Sequence, residues 1–327
     1  VSALHELLSR EHQVRCFDLK SPANVKLARR IAGKAEVVWG DLRCPEDVRR
    51  AVEGVDVAVH LGFIIPKLSA TGIESESQPE LARQVNIVGT RNLIRALRAQ
   101  PGPPRLIFSS SLHVYGLTQH LPPPRTSEDV PHPVEHYARH KVACERMVRI
   151  SGLPWSILRF GAVLPLSVRP DPGMFDVPLS NRIEFVHTRD VGLALANAVE
   201  SDAIWGRVLL IGGGPRCQLT YRQMMSSIMT AMGVGALPDA AFTAEPFATD
   251  WLDTRESERL LHYQRRTLVD FSRDLAARLG PRRLLAQIFR PIVRAWLLAK
   301  SPVLRRARRT PLAGRVAVVT GASSGIG

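Results

Sequence analysis

Cysteine is scarce in this sequence: Cys16, Cys44, Cys144 and Cys217 are spread over 327 positions without a C-x-x-C pair. This wide spacing excludes a disulfide framework and a cysteine-based zinc site, and it favours reduced thiols in a cytoplasmic protein. No apolar run approaches the ~20 residues that a membrane span requires, and the amino terminus lacks the pattern of a secretory signal peptide. These absences predict a globular, cytoplasmic protein.

Acidic residues are missing from the carboxyl-terminal part of the chain. The net charge is +14, and eleven Lys and Arg lie from Arg278 onward without one Asp or Glu. The rest of the chain is therefore nearly neutral, whereas a nucleic-acid-binding domain would carry a basic face on its folded body. We expect no nucleic acid partner.

Within the basic part, residues 284–300 have apolar side chains at helical spacing, with arginines bordering them. This pattern is typical of a helix that makes a peripheral contact with an anionic membrane. It is equally typical of a packing helix that precedes a charged linker. Both interpretations stay open on the sequence alone.

Apolar, β-branched runs alternate with helical patterns over most of the chain. Near-continuous apolar strands that alternate with helices predict an α/β fold with a doubly wound parallel sheet, covered on both faces. The predicted strands are 14–18, 36–40, 56–61, 105–109, 155–160 and 207–211. The predicted helices are 2–11, 23–32, 46–53, 79–99, 135–151, 189–201 and 221–232.

Four regions follow from this alternation. Residues 1–211 form the α/β domain, and the Pro-rich, largely apolar stretch 161–182 contributes to its substrate pocket. Residues 212–280 form a small, mainly helical lobe. A basic amphipathic helix and a linker occupy 281–314, before an apolar strand and a glycine-rich loop over 315–327.

The residues able to carry chemistry lie in two neighbouring motifs. "LIFSSSLHVYG" (106–116) is a strand that ends in serines at the carboxyl edge of the sheet, where open α/β sheets bind ligands. "EHYARHKVACERMV" (135–148) is a helix in which Tyr137 and Lys141 lie one turn apart on one face. The nearby cation, together with the positive charge of an oxidised hydride acceptor, is expected to lower the pKa of Tyr137 from ~10. A serine hydroxyl can then hold the substrate oxygen while the phenol acts as general acid or base beside a hydride acceptor.

Together these motifs resemble the extended branch of the short-chain dehydrogenase/reductase family, the NAD-dependent epimerase/dehydratase group, from Val1 to about Gln264. The resemblance implies a Rossmann-like sheet and an NAD-dependent oxidoreductase or epimerase that acts at a hydroxyl or ketone carbon of a small molecule. Tyr137 would be the acid/base, and Lys141 would lower its pKa and bind ribose. Ser111 would hold the substrate oxygen, and Asn86, in "VNIVGTRNLIRAL", would support the site.

The same resemblance implies a dinucleotide site. Asp18, at the end of "VRCFDL", would take the adenosine ribose hydroxyls. Its carboxylate would repel a 2′-phosphate, so NAD is expected rather than NADP. The other residues implied to contact the cofactor are Asp41, Leu42, Leu61, Gly62, Phe160, Tyr137 and Lys141.

The sequence leaves the substrate class open. Ala162, in "RFGAV", stands where nucleotide-sugar epimerases have an Asn that helps to hold the sugar nucleotide. Together with the apolar stretch 161–182, it favours a steroid-like or other apolar alcohol. His113, two residues after Ser111, is a candidate for substrate contact.

Three more histidines lie near the catalytic helix, and two explanations for them compete. Their spacing of four is that of a metal site. Since no other ligand cluster accompanies them, we expect no metal and solvent-exposed side chains instead. These residues are His132, His136 and His140.

The segment "RVAVVTGASSGIG" (315–327) resembles the opening strand and glycine-rich loop of a second short-chain dehydrogenase module. Val1, in contrast, matches the family just after its first strand and loop. One explanation is a two-module polypeptide. The other is that residues 315–321 complete the first sheet between strands 14–18 and 56–61, with Gly327 close to Val1. The glycines that would then face the cofactor pyrophosphate are Gly321, Gly325 and Gly327.

A function of a different class also stays open, namely a dinucleotide-binding redox sensor or scaffold without turnover. The intact Ser–Tyr–Lys set argues against it, because a binding protein need not keep the acid/base. A homodimer is a further expectation.

Overall fold

The computed structural model describes residues 2–67, 72–166 and 172–309. Its strands are β1 (Arg15–Asp18), β2 (Glu36–Trp39), β3 (Val57–His60), β4 (Arg105–Ser111), β5 (Trp155–Phe160), β6 (Ala162–Val163), β7 (Arg182–Val186), β8 (Arg207–Ile211) and β9 (Gln218–Thr220). β1 pairs with β2, and β3, β4, β5 and β8 lie side by side in that order, all parallel. The predicted α/β fold with a parallel sheet is confirmed.

Helices connect these strands and continue after the last of them. They are α1 (Ser2–Leu8), α2 (Pro22–Ala28), α3 (Pro45–Val52), α4 (Pro79–Arg83), α5 (Gly89–Arg98), α6 (His136–Arg149), α7 (Thr188–Glu200), α8 (Tyr221–Ala231), α9 (Arg255–Leu261), α10 (Leu268–Leu279), α11 (Pro281–Ile288), α12 (Arg290–Leu298) and α13 (Pro302–Arg309). Helices α3, α5 and α6 contribute to the apolar cluster on one face of the sheet, and α7 and α9 to the cluster on the other.

Strand β4 shows how this two-sided burial arises. Leu106 and Phe108 enter one apolar cluster, whereas Ile107 enters the other. Successive side chains of a strand point to opposite faces, so both faces of β4 are covered. Polar side chains begin with the serines 109–111, at the carboxyl end of the strand. The strand therefore delivers its hydroxyl groups to one edge of the sheet.

Two predicted helices are interrupted. Within 79–99, a π-helical turn over Gln84–Val88 separates α4 from α5 and carries the buried Asn86. Within 284–300, the helix breaks at Phe289, and Pro291 stands in the first turn of α12. Proline is tolerated there because it has no amide hydrogen to leave unpaired, but it cannot lie in a helix interior without breaking the helix.

The described strands leave β1 and β3 in separate sheets. Within the three described ranges, β1 has β2 as its one partner and β3 has β4. The predicted central strand over 315–321 lies outside the described residues. So do the predicted proximity of Gly327 to Val1 and the three predicted pyrophosphate glycines, Gly321, Gly325 and Gly327.

The lobe that the sequence predicted as mainly helical also contains a small sheet. β6 pairs in parallel with β7, and β7 pairs antiparallel with β9. Phe175 and Phe185 enter the same apolar cluster as side chains of α8 and α10. The core of the lobe therefore draws on the stretch 161–182, which the sequence pattern predicted as a pocket wall of the first domain.

Candidate active site

The candidate site lies at the carboxyl ends of β4 and β5, the edge predicted from the sequence. Ser111 ends β4 and is paired with Phe160, which ends β5. The Ser111 Oγ accepts a hydrogen bond of 3.3 Å from the amide of His113 and so caps the short turn Leu112–Tyr115. The Ser111 side chain lies close enough to the Tyr137 hydroxyl to lower the pKa of that phenol. The structure therefore brings these two predicted residues together.

A carboxylate from a distant loop holds the first turn of α6, which carries Tyr137. Glu76 accepts hydrogen bonds from the amides of His136 at 3.1 Å and of Tyr137 at 2.9 Å. Glu135, the residue that precedes the helix, makes no capping bond with its own side chain. An anion at a helix amino terminus satisfies free amide groups and interacts favourably with the helix dipole. Glu76 thus positions Tyr137, a role that the sequence analysis missed because 61 residues separate the two.

Lys141, the second predicted residue of α6, is buried beneath an aromatic ring. Its Nζ donates to the carbonyl of Ser109 at 2.6 Å and lies 3.6 Å from the centroid of the Phe63 ring. The distance from Nζ to the centroid of the Tyr137 ring is 5.7 Å. Burial lowers the pKa of Lys141 to about 7. The ammonium is therefore directed at a carbonyl and a ring face, not at the phenol oxygen.

The lowering of the Tyr137 pKa that was expected from Lys141 is absent in this arrangement. Burial raises the pKa of Tyr137 to about 12, and the neighbouring Ser111 side chain offsets only part of that effect. The rings of Phe63 and His113 pack edge-on against Tyr137, each with its centroid at 5.8 Å. Since the Lys141 ammonium is engaged elsewhere, it does not compensate for the loss of solvent. The phenol is therefore protonated at neutral pH.

Asn86 joins the loop after β3 to α6. Its Oδ1 accepts from the amide of Ile64 at 2.7 Å, and its Nδ2 donates to the Ile64 carbonyl at 3.0 Å. The same Nδ2 lies 3.3 Å from Nδ1 of His140. The buried amide can therefore keep the loop and the catalytic helix in register, in line with the supporting role implied for it.

The expectation that all three nearby histidines are exposed is wrong for one of them. His132 and His136 are exposed, but His140 is buried. His140 follows Tyr137 by three residues and Asn86 lies against it, so it shares the inward face of α6. The described ranges contain no group of three or more His, Cys, Asp or Glu placed to hold a metal ion.

A buried ion pair lies behind the serines. Arg159 of β5 donates to both carboxylate oxygens of Glu145 in α6, at 3.0 and 2.7 Å. The Ser110 Oγ donates to the same carboxylate at 2.5 Å, and Arg159 also donates to the Tyr115 hydroxyl at 2.9 Å. Two-point contact between a guanidinium and a carboxylate fixes orientation as well as distance. This network, which the sequence analysis missed, holds α6 against β4 and β5.

His113 lies beside Tyr137 and is held by a carboxylate. Its Nδ1 is 2.9 Å from Oε2 of Glu135. A carboxylate only accepts, so Nδ1 carries the hydrogen and the Nε2 of a neutral ring is left as an acceptor. The ring also packs edge-on against Phe247, with centroids 5.6 Å apart. His113 therefore separates Tyr137 from a residue of the smaller lobe.

The residues implied to hold the adenosine end follow the neighbouring strands. Asp18, the last residue of β1, is exposed, and its Oδ1 accepts from the amide of Leu19 at 2.8 Å. Asp41 follows β2, and its carboxylate is paired with Arg43 at 2.6 Å. This guanidinium holds the pKa of Asp41 below its usual range. Asp41 is thus already engaged with a cation, while the carboxylate of Asp18 remains accessible.

Leu42, which follows β2, packs against glycines of the loop after β3 and of α5. Leu61 and Gly62 are exposed directly after β3. A Cβ placed on Gly62 would lie 3.1 Å from Cδ1 of Leu42, and one placed on Gly89 would lie 2.8 Å from Cβ of Leu42. Glycine at both positions therefore lets Leu42 pack closely between the loop and α5.

Comparison with known proteins places these features in a family. Residues 2–164 match the family model described as "NAD dependent epimerase/dehydratase family". The cattle protein "Short-chain dehydrogenase/reductase family 42E member 1" is 30% identical over 165 residues, 49% of this chain and 39% of that protein. The "3-beta-hydroxysteroid dehydrogenase" of Mycolicibacterium neoaurum is 34% identical over 108 residues, 32% of this chain and 27% of that protein. The chain thus spans less than half the length of these relatives.

Solved structures share the fold over most of the chain. A UDP-glucuronic acid 4-epimerase from Bacillus cereus, in complex with UDP-glucuronic acid and NAD, aligns with a TM-score of 0.69 at 21% identity. The alignment covers 86% of this chain and 95% of the epimerase. A short-chain dehydrogenase/reductase superfamily protein from Agrobacterium tumefaciens, with bound NAD, also aligns with a TM-score of 0.69 at 19% identity, over 88% and 95% of the two chains. At these identities the likeness concerns the fold.

Proposed function

Because residues 2–164 match the model of the NAD-dependent epimerase/dehydratase family, we propose that the protein is an NAD-dependent oxidoreductase or epimerase of the short-chain dehydrogenase type. It acts at a hydroxyl or ketone carbon of a small molecule. The observation that carries the proposal is that Ser111 lies beside Tyr137 at the sheet edge, with Lys141 one helical turn further along α6.

NAD, when bound, supplies the hydride acceptor or donor. The accessible Asp18 carboxylate fits the adenosine end, because it can accept from two ribose hydroxyls and repels a 2′-phosphate. Lys141, which is expected to bind the other ribose of the cofactor, fits its role less directly than Asp18 does. Its ammonium is buried under Phe63, so a ribose hydroxyl reaches Nζ only when that ring turns aside.

The chain's own residues carry the proton. In the direction of reduction, the protonated Tyr137 hydroxyl donates its proton to the oxygen of the reacting carbon, and Ser111 Oγ donates a hydrogen bond to the same oxygen. In the direction of oxidation, Tyr137 must first lose its proton. A pKa raised to about 12 opposes that step, so additional positive charge near the phenol is required.

For the substrate, the surroundings of Tyr137 favour an apolar alcohol or ketone over a nucleotide sugar. Phe63 packs edge-on against Tyr137 and Phe247 packs edge-on against His113. Ala162 and Leu164 pack against the apolar cluster of the smaller lobe. Apolar lining with a few polar groups at one end is typical of sites for such ligands. His113 Nε2 then accepts from a second hydroxyl of the substrate.

One observation favours the alternative function, a dinucleotide-binding sensor or scaffold. The Lys141 ammonium is covered by Phe63, and burial raises the pKa of Tyr137, so this arrangement holds the acid/base in one protonation state. Under this alternative NAD binds but no alcohol is oxidised.

A single set of measurements separates the two functions. The small molecule that copurifies with the protein is identified by mass spectrometry, and a panel of apolar alcohols and nucleotide sugars is tested for NADH formation. Turnover that disappears in Tyr137→Phe supports the enzyme. NAD binding without turnover of any compound by the wild-type protein supports the sensor.

We further propose that an additional strand joins β1 to β3, and that residues 315–321 supply it. Among the described strands, β1 pairs only with β2 and β3 pairs only with β4, so each has one edge open for a further strand. The apolar pattern "VAVVTG" of the segment also supports this proposal. A deletion of residues 310–327 that lowers the midpoint of urea unfolding would support strand completion. An unchanged midpoint would assign the segment to a second module instead.

A further inference from the structure

Helices α11 and α12 present an apolar stripe to the outside of the protein. Six large apolar side chains on them are between 51% and 66% exposed. Four of the six recur at every fourth position and so lie along one side of the helices, across the break at residue 289. The outer stripe consists of Leu284, Leu285, Ile288, Phe289, Ile292 and Trp296.

The opposite side of the same helices is attached to the protein. Arg283 donates to the carbonyl of Ala231, and Arg290 donates to that of Val234 at 2.8 Å. Leu297 is buried in the apolar core of the lobe. Since these side chains occupy the reverse side at 3.6 residues per turn, they fix which face of α11 and α12 points outward.

The charges that the carboxyl-terminal helices themselves carry are of one sign. No Asp or Glu occurs after Asp274. Arg282 is exposed at the beginning of the stripe, and Lys300 lies at its end with Nζ 4.4 Å from the centroid of the Trp296 ring. Arg305 is exposed in the helix that follows. The occupant that fits this face is therefore apolar in its interior and anionic at its surface.

We propose that the outer stripe docks on a bilayer that contains anionic lipid. Its apolar side chains enter the boundary between headgroups and acyl chains, and Arg282 and Lys300 contact lipid phosphates. Trp296 lies at headgroup depth, where its ring is buried and its N–H stays hydrated. The contact is peripheral: among the helices of the described ranges, none has the length and apolarity needed to cross a bilayer.

Flotation with lipid vesicles tests this docking on the purified full chain. The probes are vesicles of phosphatidylcholine alone and of phosphatidylcholine with phosphatidylserine. Ile288→Asp places a charge in the middle of the stripe, and Ile150→Asp is its matched control at an exposed isoleucine on α6's carboxyl-terminal side. We expect Ile288→Asp to reduce partition into the anionic vesicles by at least ~5-fold and the control to leave it unchanged.

A second pair of variants tests the charges. Arg282→Glu is expected to weaken partition by ~3-fold or more, whereas Arg49→Glu, at an exposed arginine of α3, leaves it unchanged. Equal partition of the wild-type chain into both kinds of vesicle would overturn the proposal, as would equal partition of Ile288→Asp and wild type. A dimer in analytical ultracentrifugation that Ile288→Asp dissociates, without flotation of the wild type, would also overturn it and assign the stripe to a second copy.

Discussion

The Lys141 ammonium lies 3.6 Å from the centroid of the Phe63 ring, and the edge of that ring packs against Tyr137. Phe63 thus contacts both residues of the Y-x-x-x-K pair. It contributes to the burial that lowers the pKa of one and raises that of the other. Phe63, which lies outside the motif, therefore helps to determine the protonation states of Tyr137 and Lys141 in this arrangement.

This burial predicts how stability depends on pH. Lys141 titrates near 10.5 in the unfolded chain and at about 7 in the folded protein. Between these values the unfolded state binds more protons, so the free energy of unfolding rises with pH by up to ~1.4 kcal/mol per unit. Lys141→Met should remove this rise, as measured by urea unfolding at about pH 7 and about pH 9. Lys26→Met, at an exposed lysine, should keep it; the same slope in both variants would contradict the assignment.

Removal of the Tyr137 hydroxyl should lower kcat without changing the affinity for NAD. Tyr137→Phe keeps the ring that packs on Phe63 and His113 but removes the proton donor. We expect kcat to fall ~10²–10⁴-fold, while the affinity for NAD, measured by calorimetry, stays within a few-fold of wild type. An unchanged kcat would remove Tyr137 from the mechanism.

The carboxylate at the end of β1 should set the choice of cofactor. Because Asp18 is accessible and carries no cation partner among the described residues, it repels a 2′-phosphate. NAD is expected to bind at least ~10-fold more tightly than NADP, a difference of ~1.4 kcal/mol. Asp18→Asn should narrow this difference. If NADP binds as tightly as NAD, the nearby Lys20 is the residue to examine.

His113 should act on the substrate and not on the cofactor. His113→Phe keeps an aromatic ring between Tyr137 and Phe247 but loses Nε2. We expect kcat/KM for the substrate to fall ~5–10-fold, as the loss of one hydrogen bond requires, with unchanged NAD affinity. Glu135→Gln, which no longer forces the hydrogen onto Nδ1, should show a smaller loss in the same direction. A His113→Phe variant with wild-type kcat/KM would show that the substrate does not reach this residue.

The buried ion pair should be important for stability. Glu145→Ala leaves the Arg159 guanidinium buried without its carboxylate, which costs ~3–5 kcal/mol in the free energy of unfolding. The double substitution Glu145→Met with Arg159→Met should recover most of this loss, because no charge remains buried. Asp239→Ala, which breaks the exposed pair with Arg222, should cost far less, because solvent screens that pair. Equal losses in the two single variants, by chemical denaturation, would argue against the buried pair.

The sequence by itself determined the six parallel strands β1, β2, β3, β4, β5 and β8 and their order along the chain. β5 and β8 have the bounds predicted from their apolar runs, and the spacing of Tyr137 and Lys141 placed both on one helix. Local patterns suffice for this because hydrophobic periodicity and strand propensity act between residues that are close along the chain.

Only the tertiary structure decided which residues surround Tyr137 and Lys141. Glu76 on the first turn of α6, Phe63 over Lys141 and Glu145 with Arg159 are contacts between different elements. Nothing in the local pattern of either partner indicates the other, because such pairs form only when packing brings distant segments together. The same packing buries the Lys141 ammonium and covers most of the Tyr137 side chain. This burial lowers the pKa of Lys141 and raises that of Tyr137.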